Sequence, residues 1–542
     1  MSATATKRHD VIVIGSGIAG GMLGTILARH GVDVLLVDGG SHPRFAVGES
    51  TTPHSGVLLK LMSKRFDVPE LANLAYYENA VANVGRSFGI KKHFGFLMHR
   101  DGEEPNPAEA NELSAPSKIV DNSHLFRQDS DAYLLHTAIH YGASSRQNFR
   151  VADVELEEDH VTVVGVDGTR YEGRYLVDAS GFRSVLANKL DLRDKPCRFK
   201  HHSRSLFTHM IDLKTSDEVL NMDPSDMPPV PWYQGTMHHI FERGWFWVIP
   251  FNNEERSTNP LVSVGLTFDE RLYPPDPSLT PEEEFYKHAN RFPAVARIFE
   301  NAKTVRDWVS TPRLQYSSTE TVGHRWCLMS HAAGFLDPLF SRGISNTADV
   351  VNALAPRLIA AMADDDFSTE RFKYVEKLEQ GLLDFNDKMV NSSFVSFSDY
   401  TLWNGVFRIW AYGGIPGNLR MERAMDKFAE TGDDQVFVDM ESAPHTGLWW
   451  PDNDGYRELL EEMNRLCDLV DEGTMSSADA GEQLMKQVVS ADFLAPGFGF
   501  EDPGHRFVKP EIASLKAMMA WLRTDAPASM RYLGAGGRPK SA

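Results

Sequence analysis

The sequence predicts an α/β fold: a Rossmann-type dinucleotide-binding domain, interrupted by a mostly antiparallel sheet domain and followed by a helical C-terminal region. Three observations carry this. The charge-free run from Val11 to Ala28 reads as strand, glycine loop and helix start. Val81 to Met98 and Arg204 to Leu266 hold short alternating segments suited to antiparallel strands. From about Glu370 the apolar spacing turns helical, with a long amphipathic segment to about Asn391.

The first unit is the clearest. Asp10 to Ile14 is a buried-type strand, and Gly15-Ser-Gly17-Ile-Ala19-Gly20 follows it. An apolar helix then runs to about His30, and a second strand, Val34 to Val37, ends at Asp38. Glycines at these positions let the backbone approach a pyrophosphate, and the helix N-terminus offers N–H groups and a positive dipole end. Asp38 stands where a carboxylate accepts a ribose hydroxyl. The alternative, a membrane span, fits poorly with five glycines in the run.

Further along, Asp131 to His140 reads as a helix, with Arg127 just before it, either touching a cofactor or lying on the surface. Tyr175 to Asp178 reads as a strand ending at the turn Ala179-Ser-Gly181. Asp337-Pro338 can end a strand and open a helix whose free N–H groups face a ring or an anion. These marks divide the chain. Residues 1–80, 119–190 and 320–369 form the nucleotide domain, 81–118 and 191–319 the sheet domain, and 370–542 the helical region. The acidic stretch 428–456 reads as a loop and the last ten or so residues as frayed.

Composition narrows function. The chain has 542 residues and a net charge of −20, which disfavours nucleic acid and anionic lipid. Its three cysteines form no CxxC, so neither a disulfide framework nor a zinc site is expected. With no secretory signal visible, a cytoplasmic location is the expectation.

The run Gly244-Trp-Phe-Trp-Val-Ile-Pro-Phe251 poses a separate question. In a strand, Trp245 and Trp247 share one face. On residue type alone they are core packing.

The motifs together resemble the flavin-dependent halogenases, flavoproteins with a Rossmann-type FAD fingerprint. Trp245-Phe-Trp247-Val-Ile249-Pro250 matches that family's WxWxIP motif, and Phe335-Leu-Asp337-Pro338-Leu-Phe-Ser341-Arg342-Gly343 its FxxPxxSxG motif. Gly48-Glu49-Ser50 fits its early GE-S/T segment. The chain is most similar to the monodechloroaminopyrrolnitrin halogenase type through such runs as Gly89-Ile-Lys91-Lys-His-Phe-Gly-Phe96, with tetracycline chlorinases as near relatives.

The resemblance implies a free-standing enzyme that uses FADH2, O2 and chloride or bromide. It implies flavin hydroperoxide and then hypohalous acid, and a separate flavin reductase as partner. Gly15, Gly17, Ala19, Gly20, Asp38, Glu49, Ser50, Arg127, Asp178, Asp337 and Pro338 would hold the cofactor, and Ser341, Arg342 and Gly343 the halide. Trp245, Trp247, Ile249 and Pro250 would wall the substrate off from the flavin. A lysine would carry the halogen on an amine of lowered pKa; neighbours in a strand face opposite ways, so only one of Lys91 and Lys92 can serve, and the resemblance implies Lys91, because the nearest type has lysine at the first position and can have arginine at the second.

The implied substrate is a free, electron-rich aromatic, leaning to an arylpyrrole such as an aminopyrrolnitrin precursor. Alternatives are a phenolic or tetracycline-type polyketide, an aromatic hydroxylase, and a non-catalytic flavin-fold carrier. Two departures stand out. Phe340 occupies the place of the tryptophan halogenases' glutamate, and Ser330-His331 that of a cofactor-contacting Gly-Asp, with His331 either its substitute or a core histidine.

Overall fold

The computed structural model describes residues 8–114, 121–220, 222–223 and 226–534. The chain forms two compact units. The first comprises residues 1–85, 125–199 and 315–385, and the second 86–124, 200–314 and 386–542.

The first unit is built on an eight-stranded sheet. Arg8–Ile14 lies at its centre, parallel to Arg170–Asp178 on one side and Val34–Val37 on the other. Trp326–Leu328 and Ser144–Arg146 extend the parallel core outward. Val11 to Ile14 and Val34 to Val37 are all buried, as strands covered on both faces require. Helix Ile18–Arg29 packs on Arg127–His140 and Gly343–Asp364.

The second unit is built on a nine-stranded sheet. Ser203–Ile211, Val262–Asp269, Gly244–Pro250 and Thr236–Phe241 run antiparallel in that spatial order. His93–Met98 joins parallel to Thr236–Phe241, Ala110–Ser114 follows antiparallel, and Phe507–Val508 closes this edge.

The pairing register sorts side chains onto two faces. Leu206, Phe246, Val264, Leu266 and Phe268 join Phe285, Phe292 and Val295 of helices Pro281–Ala289 and Pro293–Phe299 in one apolar core. Phe94, Phe96, His238, Trp245 and Trp247 lie on the other face, where helix Tyr400–Thr431 brings Trp403, Phe407 and Trp410 against the two phenylalanines. No helix among the described residues is long and apolar enough to cross a membrane.

Several expectations are corrected. Residues 81–83 close a helix, Tyr77–Asn83, instead of opening a strand. Arg127 is the first residue of its helix, not a residue before it. Asp337-Pro338 ends no strand: the two lie in a turn, and the helix opens at Gly343. The stretch 428–456 is partly helical, because Tyr400–Thr431 continues to a left-handed Gly432 and Gln435–Met440 adds another turn. The extreme C-terminus, 535–542, lies outside the described residues.

One buried ion pair ties the second sheet to its helix. Arg204 is buried, stacks its guanidinium over Phe268 at 4.2 Å and bonds Glu284 bidentately, one arm at 3.0 Å. Removing one partner of such a pair strands the other charge in a poor solvent. Arg204→Ala is therefore expected to lower stability by about 3–5 kcal/mol, read as a lower urea midpoint.

Candidate functional site

In the first unit the glycine loop leaves the central strand beside the turn after Asp178. Gly15 has φ +98°, and a Cβ there would meet the Ala179 carbonyl oxygen at 2.6 Å. A Cβ on Gly20 would meet the Gly15 oxygen at 1.9 Å. Both glycines are demanded by the protein's own backbone. Gly17 is different: its φ is −69°, and an added Cβ would find nothing nearer than Asp131 Oδ2 at 3.5 Å. Space is kept at Gly17 that the protein does not use. Helix Ile18–Arg29 begins there with no side-chain cap and no acidic residue in its first turn, Ala19 included. An uncapped N-terminus beside vacant backbone suits a pyrophosphate, so these residues fit FAD.

Asp38 closes the second strand. Its Oδ2 accepts from Ser16 N at 2.9 Å, Ser16 Oγ at 2.9 Å and Arg44 at 3.0 Å, and its Oδ1 from Gly40 N at 2.9 Å. Burial alone would raise its pKa, but the Ser16 N–H, Arg44 and Gly40 N–H outweigh it and hold the carboxyl below the ordinary range. Asp38 stays ionised and keeps acceptor capacity at Oδ1 for a hydroxyl.

Two expected cofactor ligands turn inward. Arg127 bonds Asp131 at 2.8 and 2.9 Å and the carbonyls of Val47 at 2.8 Å and Gly48 at 3.1 Å. It clamps the segment that carries Glu49 and Ser50, both buried. Asp178 accepts from Ser180 N, Ser180 Oγ, Ser184 Oγ and Leu186 N, which shapes the turn against Gly15. Neither side chain is directed at a ligand by its bonds; each positions backbone.

At the third segment, Asp337 Oδ1 accepts from Leu339 N at 3.0 Å, and Ser341 N donates to the Pro338 carbonyl at 3.0 Å. Ser341 is left-handed at φ +53°, which aims the chain into the helix N-terminus at Arg342 and Gly343. The N-terminus of a helix carries the positive end of its dipole, which favours an anion. Phe340 is buried. His331 keeps accessible surface, yet surrounding protein pushes its imidazole down to about 4 by desolvation, and a Cβ on Gly343 would crowd its ring at 3.3 Å. A buried carboxyl unforeseen in the sequence, Glu379, accepts from Ser330 N at 2.8 Å and is pushed up to about 8 by burial.

The second unit holds the lysine. Lys91 ends strand Gly89–Lys91, which pairs with Asn122–His124, and Asn253 clasps its middle residue through both Ile90 N at 2.8 Å and Ile90 O at 2.7 Å. Lys91 is fully buried, with Nζ 3.3 Å from the centroid of Phe94. Burial holds its pKa well below the ordinary lysine range, so the neutral amine is favoured. Lys92 is half-buried and donates to Gln234 Oε1 at 2.8 Å. The two lysines thus occupy different surroundings.

Three buried histidines, which sequence spacing gave no means of grouping, lie where an ammonium on Lys91 would act on them: His93, His124 and His238. Burial is the largest influence on each and pushes each down to about 3. His124 Nδ1 donates to the Pro250 carbonyl at 3.0 Å, and its Nε2 meets Thr236 Oγ1 at 3.1 Å. His93 Nε2 donates to the Trp232 carbonyl at 3.1 Å.

The two tryptophans sit side by side, ring centroids 5.6 Å apart. Trp247 lies across Gly265, where a Cβ would come within 2.2 Å of the ring, and Trp247 Nε1 donates to Ser263 Oγ at 3.3 Å. Trp245 tilts against His238 at 5.2 Å. Ile249 is buried on the same face as the tryptophans, and Pro250 ends the strand.

Comparison with known proteins agrees with this geometry. The sequence model of the Tryptophan halogenase family matches residues 106–404. The chain is 53% identical over 515 residues to Tetracycline 7-halogenase of Kitasatospora aureofaciens, covering 95% of this chain and 93% of that protein. It is 41% identical over 534 residues to Monodechloroaminopyrrolnitrin halogenase PrnC of Pseudomonas fluorescens, covering 97% and 94%. The crystal structure of halogenase PltM with phloroglucinol and FAD superposes with a TM-score of 0.89 at 35% identity, covering 93% of this chain and 100% of that one. The chain belongs to the flavin-dependent halogenases. It is an oxidoreductase that uses FAD as FADH2, with O2 and halide as co-substrates, and enzymes of this family generally draw FADH2 from a separate reductase.

The unequal glycines give a paired test. Gly17→Val is expected to keep the circular dichroism spectrum and melting temperature of the parent while abolishing FAD binding in a fluorescence titration. Gly15→Val is expected to fail at folding, since it combines a left-handed φ with a carbonyl clash.

Proposed function

We propose that this enzyme halogenates a free phenolic polycyclic aromatic of the tetracycline type, with Lys91 delivering the halogen. The observation that carries the chemistry is Lys91 itself, an amine with no exposed surface, lying on an aromatic ring among neutral imidazoles. An amine so placed is nucleophilic at neutral pH and takes halogen from hypohalous acid as a haloamine or by hydrogen bonding. The substrate class is supported by 53% identity to a tetracycline halogenase along 95% of the chain. This replaces the arylpyrrole preference suggested by the motifs alone. The 41% identity to PrnC keeps the arylpyrrole as the second reading.

In this reading the first unit binds the cofactor. Gly17 and Ala19 receive the pyrophosphate, Asp38 the ribose, and the Glu49–Ser50 and Asp337–Pro338 segments border the ring. Arg127 and Asp178 act by positioning. The backbone of Ser341, Arg342 and Gly343 receives the halide. Bound reduced flavin with O2 supplies the oxidising equivalents that turn halide into hypohalous acid. Trp245 and Trp247, with Ile249 and Pro250 behind them, keep the organic substrate from the oxidant. The partner is a separate flavin reductase.

The decisive experiment couples the enzyme to a flavin reductase with chloride or bromide and reads products by mass spectrometry. The panel is tetracycline, a phenylpyrrole, a simple phenol and an indole. Halogenated tetracycline is the expected product. A halogenated phenylpyrrole alone would favour the second reading, and hydroxylated products alone would overturn the halogenase chemistry.

Lys91→Ala should bind FAD and consume O2 yet give no halogenated product. Lys91→Arg should not rescue it, because a guanidinium stays protonated. Lys92→Ala should remain active. Product from Lys91→Ala at the parent rate would remove the lysine from the mechanism. Trp245→Ala with Trp247→Ala should lower halogenation and raise free peroxide; an unchanged chlorination rate would return both to packing.

A further inference from the structure

Electrophilic halogenation leaves a ring carbon bearing both halogen and hydrogen, and that hydrogen must depart as a proton. In this chain Phe340 occupies the place of the tryptophan halogenases' glutamate. Some other group near Lys91 has to take the proton.

The second unit narrows the choice. Of the carboxyls near this cluster, Asp121 precedes Asn122, which pairs with Lys91, and so sits opposite Lys92, while Glu112 pairs with Gly95 and therefore lies on His93's side of the sheet, 3.8 Å from His93 Nδ1. That is the face turned away from the tryptophans. His124 has both ring nitrogens engaged, by the Pro250 carbonyl and Thr236 Oγ1. His238 remains. It pairs with Phe96 on one side and Trp247 on the other, so all three share the tryptophan face. Its ring stacks on Phe96 at 4.3 Å and an interplanar angle of 15°, and lies 6.1 Å from Phe94, the ring beneath the Lys91 amine.

The hydrogen bonds of His238 settle its tautomer. Nδ1 lies 2.9 Å from the Gly95 carbonyl oxygen, which can only accept, so Nδ1 carries the hydrogen. Nε2 therefore presents a lone pair, and it has no hydrogen-bond partner among the described residues. A buried imidazole locked in one tautomer by a backbone carbonyl, with its basic nitrogen unspent, is an oriented base.

We propose that His238 is a catalytic residue, the base whose Nε2 removes the ring proton in the halogenation step. This rests on the halogenase reading with Lys91 as halogen carrier. The aromatic ring donates an electron pair to the halogen on the Lys91 nitrogen. The carbon–halogen bond forms and the nitrogen–halogen bond breaks, leaving its pair on nitrogen. The ring C–H pair then returns to the ring, and its proton passes to His238 Nε2. The imidazolium releases that proton to the Lys91 nitrogen, so haloamine and arene give amine and haloarene with nothing left over. Burial, opposed by the Gly95 carbonyl, pushes the imidazole down to about 3, so it is unprotonated at neutral pH. That basicity suffices, because a halogenated cyclohexadienyl cation surrenders its proton to very weak bases.

The test uses the full-length enzyme with FAD, a flavin reductase and chloride. The probe is whichever of tetracycline and 3-phenylpyrrole the parent halogenates, supplied ring-protonated and ring-deuterated in competition. His238→Asn offers an N–H toward Gly95 without the basic nitrogen, and His238→Gln is the second variant. In the parent, proton loss is fast and no isotope effect is expected. In the variants, turnover should fall by about 10²-fold or more, with a primary isotope effect on product while FAD binding and O2 consumption persist. A slow variant without an isotope effect would assign His238 a packing role and overturn the proposal, as would turnover at the parent rate. If Lys91→Ala also halogenates, the reading beneath has failed; if Lys91→Ala is dead and both His238 variants match the parent, only the base assignment has.

Discussion

The constraint that shapes the surroundings of Lys91 is the cost of burying an ammonium ion. A charged amine withdrawn from water without a paired carboxylate is several kcal/mol out of equilibrium, and the usual outcome is loss of the proton. Lys91 is placed to have that outcome. Phe94 lies under its nitrogen, and the three imidazoles on which its charge would act are themselves held neutral by burial. One nearby carboxyl, Glu112, is on the other side of the sheet and is pushed up to about 8 by burial. Burial therefore works against the ammonium form of Lys91.

The separation is achieved by strand alternation. Along Gly244–Pro250 the odd-numbered residues Trp245, Trp247 and Ile249 face one way, while Phe246 and Val248 face the helix-packed core. One strand thus serves the helix-packed core on one face and the tryptophan pair on the other. Register makes the division sharp, because slipping by a single residue would exchange the two sets. Gly265 fits the same logic, since it clears the sheet surface so that Trp247 can lie flat upon it.

Local chemistry was legible in the sequence, and long-range assembly was not. The strand–loop–helix–strand unit could be read from Asp10 to Asp38 because each signal lies beside the next. The opposite environments of Lys91 and Lys92 and the shared face of Trp245 and Trp247 followed from period two alone. The protein partners of Arg127 and Asp178, both expected as cofactor ligands, were not legible, because a residue type near a cleft does not disclose them. The bonds to Asp131 and to Ser184 form only after folding. The histidine group was invisible for a similar reason: His93 and His238 come from strands nearly 150 residues apart, joined by a parallel pairing that no local pattern announces. The short helix Gln435–Met440 hides in an acidic, proline-broken stretch whose composition argues for a loop.

The late strand Phe507–Val508 bears on how the molecule is made. It pairs with Glu112 and Leu113, and the buried Arg408 gathers the carbonyls of Gly499, Phe500, Asp502 and His505 in the segment that leads to it. On the ribosome, Ala110–Ser114 emerges long before this partner exists. At ordinary elongation rates the wait is on the order of tens of seconds, during which the strand is an unprotected sheet edge. The nascent chain must be shielded from its neighbours for that interval, and the polypeptide's final tenth decides whether the sheet it began early can be sealed.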